Sequence, residues 1–380
     1  MPALILATLL LILSAGGFSA SVSSNPVEIN VAGEAHTPQI AIKGSFAALV
    51  FGSGSEVYFS ASQDGGRTFS KAAVVNRGAG GVLPLTRHRG PHVAISGNTV
   101  VVSAVVGHTA AQGLHAHGLP SDGDLLVWRS NDQGKTWLPV VRVNDVPGAP
   151  TEGLHTLAVS KDGVLFAAWL DKRDPSGTQL FGARSTDRGA TWAANQRIYR
   201  SPEGTICQCC APSAIFTSTG EVAVMWRNVL DGARDFYLTL SRDGTQFSTP
   251  KKLGQGTWKI NACPMDGGGV VSHQGKIYSA WRRESDVFLA QEGQEETRLA
   301  RGHDVAIAAG GDGVYVAWSN NGQILLLPPN AASPVVLVRA GAYVTLADIE
   351  SAGVLAAWEQ AGAIQVQRVA GRSEVDHVKR

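Results

Sequence analysis

Apolar residues along this chain recur in short runs, too short for helices and separated every few residues by Gly, Asn, Asp or Ser, which predicts many short strands joined by tight turns. One kind of run ends in Trp again and again: Val164–Trp169, Glu221–Trp226, Lys276–Trp281, Gly313–Trp318 and Gly353–Trp358. The Trp spacings are 57, 55, 37 and 40 residues, a length that accommodates one four-stranded sheet per period. Phe46–Phe51 and Thr99–Ala104 are earlier equivalents, and each of the seven runs follows a shorter apolar strand such as Gln39–Ile42, His92–Ile95 or Asp304–Ile307. The pattern predicts an all-β chain, a single β-propeller over residues 27–370 with seven four-stranded blades, six being the alternative. Two β-sandwiches would not explain one period carried through the whole chain. The last unit offers only three strands, and the isolated Val27–Val31 is expected to supply its fourth, which would leave no free sheet edge.

Composition sharpens this picture. Gly makes up 44 of 380 residues, about 12% against a usual share of roughly 7%, which reads as many turns. Basic and acidic side chains number 32 and 31, so no global field attracts nucleic acid or an anionic membrane, and nucleic acid is not an expected partner. The run Ala3–Leu13 is apolar and is followed by the small residues of Ser14–Ala20, which reads as a signal peptide over residues 1–20. It is too short for a bilayer span, which needs roughly 20 residues. The protein is expected to be exported, periplasmic or extracellular, with no integral membrane segment after signal removal, and to end in a polar tail over 371–380.

A second recurring string is Ser-x-Asp-x-Gly-x-Thr-aromatic. It occurs at Ser62–Phe69, Ser130–Trp137 and Ser185–Trp192, and one residue shorter at Ser241–Phe247. Asp64, Asp132, Asp187 and Asp243 are expected to accept backbone N–H bonds in these turns while Gly takes positive φ. These strings resemble the Asp boxes of the sialidase-like, bacterial neuraminidase repeat propellers. The resemblance implies a fold and a structural role for the four aspartates. Residues 205–270 are also similar to bacterial exported sialidase-like proteins, through Arg227-Asn228, Arg234-Asp235 and Trp258 followed by Cys263-Pro-Met-Asp-Gly-Gly268. That likeness groups Cys207–Cys210 and Cys263–Gly268 as one site.

In a propeller blade, the loop entering the innermost strand and the loop leaving the second strand lie at one end, and the Asp-box turn lies at the other. This sorting brings the chemistry-bearing residues to one mouth of the axis, the usual place for function on a rigid scaffold. Arg89, His92, Arg283, Arg301, His303 and Asp304 are candidate ligand-binding residues there. His36, His88 and His155 join them, as do His108, His115 and His117 of the insertion Gly107–Asp124. A cluster of arginines can grip a carboxylate through paired hydrogen bonds, as the sialidase resemblance implies. Arg227, Arg234 and Arg282 are candidates for that work, Asp171 and Asp174 are candidate acids, and Asp266 is a further catalytic candidate. Asp171-Lys-Arg-Asp174 reads equally as a self-paired surface turn. The chain lacks the Phe/Tyr-Arg-Ile-Pro motif of that family, and its seven units exceed the six blades of catalytic sialidases.

The four cysteines sit in the segments leading into blades four and five. An oxidising compartment permits disulfides, with one bridge expected between blade four and Cys263. The other reading is a soft-metal site for copper or zinc, with Cys207, Cys209, Cys210, Cys263, Met265 and His155 as candidate ligands. Reactive or inert thiols complete the choices. The expected function is therefore a propeller that binds a metal ion, a small anionic ligand or glycan, or an exported partner protein at the axial mouth. The alternative is a glycoside hydrolase of the exo-α-sialidase type.

Overall fold

The computed structural model describes residues 25–78, 80–107, 122–350 and 353–370. The expected signal segment, the C-terminal tail and His108, His115 and His117 lie outside the described residues. The architecture is seven four-stranded antiparallel sheets, so the propeller has seven blades. There is no helix among the described residues, and hence none long and apolar enough to cross a membrane.

Six blades run in chain order from the axis outward. The first consists of His36–Lys43, Phe46–Ser53, Glu56–Ser62 and Ala73–Val74. Blade seven is composite: Ala342–Asp348, Gly353–Gln360 and Ala363–Ala370 are completed by Val27–Ile29, with Val27 opposite Val366 and Ile29 opposite Ile364. The second strand of each blade is covered on both faces by its neighbours, which is why it reads as a continuous apolar run. Every residue of Thr99–Val106, Leu165–Asp171 and Val222–Arg227 is buried. Between blades three and four, Phe166, Leu170, Leu180 and Trp226 share one cluster, and Trp358 closes the equivalent seam between blades six and seven.

At the end away from the mouth, Asp64 Oδ1 accepts N–H bonds from Arg67 and Thr68, each 2.9 Å, and Oδ2 accepts the Thr68 hydroxyl at 2.6 Å. Those bonds from Thr68 hold the Asp64 carboxyl well below the usual range. Asp132 and Asp187 bind Thr136 and Thr191 in the same way, and Asp243 in the shorter turn binds Thr245 and Gln246. Gly66 has φ 87°, and a Cβ there would meet Leu355 Cδ1 at 2.6 Å, so the turn needs glycine on both counts.

The other end carries a different repeat. Where the chain turns into the innermost strand, Thr37, His88, Glu152, Met265, Asp304 and Tyr343 all take left-handed φ between 48° and 58°. Register shifts follow at His36/Gln39, Pro150/His155, His303/Ala306 and Ala342/Thr345, so bulges mark the inner rim of four blades. A non-glycine residue in this region costs about 1–3 kcal/mol and persists only where its surroundings over-determine it. Six such residues ring one end of the axis, and that end is where the polar side chains meet.

Candidate functional site: the axial mouth

The rim positions bring together residues remote in sequence. His88 of blade two reaches Asp304 of blade six, Nε2 to Oδ1 at 3.2 Å, and Asp266 of blade five, Nε2 to Oδ1 at 3.4 Å. Asp304 Oδ2 is 2.6 Å from His303 Nδ1, and Arg282 Nη1 donates to Asp266 Oδ2 at 3.4 Å. Both aspartates are buried whereas His88 and His303 are partly open. Burial opposes a charge on His88, but hydrogen bonds to Asp266 and Asp304 override it and raise its pKa to about 9. The reciprocal bonds from His303 and His88 outweigh burial at Asp304 and keep its carboxyl ionised, well below the usual range. The mouth therefore holds a fixed arrangement of both signs at neutral pH.

Beside this cluster, His36 Nδ1 lies 3.1 Å from Glu359 Oε2, and burial pushes the Glu359 carboxyl up. His92 and His155 pack edge to face with ring centroids 4.5 Å apart, and His155 Nε2 is 3.0 Å from Ser103 Oγ. Burial depresses both, His155 to about 4, so each is neutral at ordinary pH. His155 thus belongs to blades two and three, and does not join the cysteines.

Three of the six arginines read as candidates are held by other groups. Arg89 is buried and donates to Glu152 Oε2 at 2.5 Å and to the Glu152 carbonyl at 2.7 Å. Arg227 lies between the rings of Phe236 and Trp258, at 4.1 and 5.2 Å, and donates to the carbonyls of Arg234 and Arg282. Arg283 pairs in a fork with both oxygens of Glu296, at 2.7 and 2.6 Å. Arg301 ends the outermost strand of blade five, opposite Asp286. Asp171 is fully buried and accepts from Trp169 Nε1, the Arg173 backbone and the Arg173 guanidinium, which is the self-paired turn. Arg282 and Arg234 remain at the mouth and by the cysteines.

The thiols form a compact group under the rim. A disulfide joins Cys209 to Cys263, a bridge between blade four and Cys263 of the kind expected in an oxidising compartment, and ties the segments leading into blades four and five. Cys207 and Cys210 are buried free thiols with Sγ atoms 3.3 Å apart, and Arg234 Nη1 donates to Cys207 Sγ at 3.3 Å. Met265 packs on the group, and the Asp266 backbone N–H bonds Cys210, so the thiols and the His88 cluster share a residue.

Glu359 was not among the residues singled out from sequence. It directly follows Trp358, the position that Arg227 and Arg282 occupy after Trp226 and Trp281, and that alignment would have found it.

No family model and no curated protein matches the chain. Solved structures do. A polysaccharide lyase of family PL25, an ulvan lyase, superposes with TM-score 0.57 at 12% identity, covering 93% of this chain and 99% of that one. An α-L-arabinanase of Penicillium chrysogenum, solved with arabinobiose, gives 0.54 at 13% identity over 91% and 99%. The Hadza microbial sialidase Hz136 gives 0.53 at 16% identity over 87% and 75%. At these identities the likeness is one of fold: the chain shares the β-propeller architecture of these enzymes.

Proposed function

We propose that this is an exported glycan-binding propeller whose axial mouth holds a saccharide without cleaving it. The observation that carries this reading is the His88, Asp266 and Asp304 cluster, where one cation and two carboxylates face one another across the axis. Fixed donors and acceptors of both signs suit the vicinal hydroxyls of a sugar. Arg282 and His303 are placed to meet one acidic substituent on it. Three guanidiniums that an acidic-sugar hydrolase would need for its carboxylate are not open here, because Arg89, Arg227 and Arg283 are spent on Glu152, on backbone carbonyls and on Glu296. The structural neighbours act on glycans according to their descriptions, which supports the ligand class.

Screening against immobilised neutral, uronate-containing and sialylated oligosaccharides, followed by calorimetry, tests the proposal. Binding should weaken by about tenfold or more in His303→Ala, the loss expected for a hydrogen bond to a charged group. Absence of binding to every class, or stoichiometric copper or zinc retained by the purified protein, would overturn it. One observation favours hydrolysis as a second reading: burial raises Glu359 while Asp304 stays ionised, and a split pair of this kind can divide acid and base roles. Turnover of a fluorogenic glycoside that is lost in Glu359→Gln would select it.

A further inference from the structure

We propose that Cys207 and Cys210 form a redox-active dithiol whose reaction partner is the Cys209–Cys263 disulfide of the same chain, so that thiol–disulfide exchange moves a free thiol from the interior to the surface. The proposal stands independently of the saccharide reading.

Cys207-Gln-Cys-Cys210 contains a C-x-x-C spacing, the separation at which two thiols can close into a disulfide. The fold realises it, with the two Sγ atoms 3.3 Å apart. Cys207 Sγ also lies 3.7 Å from Cys209 Sγ, one half of the existing disulfide. Arg234 Nη1 sits 3.3 Å from Cys207 Sγ, where a guanidinium stabilises a thiolate. The two thiols are unlike. The bond from Cys210 lowers Cys207 to about 6, with burial opposing and Arg227 and Arg234 assisting, whereas burial pushes Cys210 well above the ordinary range. One sulfur is thus the nucleophile and the other holds its proton, the asymmetry that a working dithiol needs.

The reaction balances within the chain. The Cys207 thiolate uses its electron pair to form a bond with Cys209 Sγ. The Cys209–Cys263 bond breaks, its pair departs on Cys263, and that thiolate takes a proton from solvent. In a second exchange Cys210 gives up its proton and bonds Cys207 Sγ, and Cys209 leaves as a thiolate that takes up the proton. One disulfide and two sulfurs at thiol level exist before and after, so neither oxidant nor reductant is consumed. Burial of Cys207 and Cys210 shields them from outside disulfides, whereas Cys263 is exposed. Exchange therefore replaces a sheltered thiol with an accessible one, and unties the segment leading into blade five.

The test maps thiols in the folded protein. Protein holding two thiols per chain, reached with limiting phosphine when it is isolated with none, is treated with N-ethylmaleimide, then denatured, labelled again with a second reagent and mapped by peptide mass. The expected result is maleimide on Cys263, with a disulfide from Cys207 to Cys209 or Cys210. Cys207→Ser should abolish that label, and Cys210→Ser should retain it. Arg234→Gln should slow labelling at neutral pH and recover near about pH 9, where an unassisted thiol ionises. That last variant keeps all four cysteines and serves if Cys207→Ser does not fold. An intact Cys209–Cys263 bond with no maleimide on Cys263, or labelling that is the same in Cys207→Ser and wild type, would overturn the proposal.

Discussion

His88 and Asp304, from blades two and six, meet across the propeller axis with Nε2 3.2 Å from Oδ1, and Asp266 holds the same imidazole from blade five. The contact joins blades that do not touch along their edges, so its state of ionisation is felt across the ring. Burial alone would strip the proton from His88, yet hydrogen bonds to the two carboxylates raise its pKa to about 9. A histidine raised above its ordinary value contributes stability that is complete below about pH 6.5 and is lost as pH rises through about 9. Thermal melts should therefore fall in midpoint between those two values. In His88→Gln that part of the slope should vanish, and an NMR titration of His88 should give the raised pKa directly. An unchanged slope in the variant would assign the pH dependence elsewhere.

Arg89→Met should destabilise the fold by about 3–5 kcal/mol, the usual cost of removing one partner of a buried ion pair. Its guanidinium donates twice to Glu152, and both side chains are closed to solvent. Urea unfolding would measure the loss. Glycan binding by the folded fraction should be nearly unaffected, which separates a positioning role for Arg89 from ligand contact.

How far the sequence could be read follows the range of the interactions concerned. The blades were legible because each is built from neighbouring strands, and the second strand announces itself by an apolar run ending in Trp. The closing strand Val27–Ile29 was legible for the same reason, as the one strand left over opposite a blade of three. Topology alone assigns loops to ends, so the sequence could sort candidate residues toward one mouth. Who pairs with whom was not legible. His88 and Asp304 lie 216 residues apart, and only the axis brings them together. Arg89 and Arg283 read as open cations because nothing local shows that Glu152 and Glu296 fold onto them. Left-handed backbone at Thr37 and Tyr343 left no mark either, since neither residue favours it and the rim imposes it.

The four turn aspartates should make the protein sensitive to acid. Bonds from Thr68 and Thr136 hold Asp64 and Asp132 well below their ordinary range, so their contribution is present above about pH 4 and is lost as pH falls through the depressed values. The double variant Asp64→Ala, Asp132→Ala should melt below wild type at about pH 7, and the gap should narrow toward about pH 2. Calorimetric scans across that range check it. Saccharide binding should persist, because these turns lie at the end of the propeller opposite the mouth.

The ring should open at blade seven when its outer strand is removed. Val27–Ile29 pairs with Ala363–Ala370 in antiparallel register, and Ile29 is buried among Phe51, Leu49, Ile364 and Val366, at the seam between blades one and seven. Ile29→Ala should cost about 2–5 kcal/mol, the range for a large core aliphatic cut to alanine. A chain begun at Glu34 loses the side chain and the backbone pairing together. It leaves the apolar strand Ala363–Ala370 as an unpaired edge, and an edge of that kind recruits another strand. The shortened protein should elute from size exclusion as dimers or larger species while full-length protein stays monodisperse. If the shortened chain stays at the same oligomeric state with an unchanged melting point, the strand does not close the ring. A double change that keeps the strand but breaks its register, Val27→Pro with Ile29→Asp, should reproduce the truncation and so separate pairing from mere chain length.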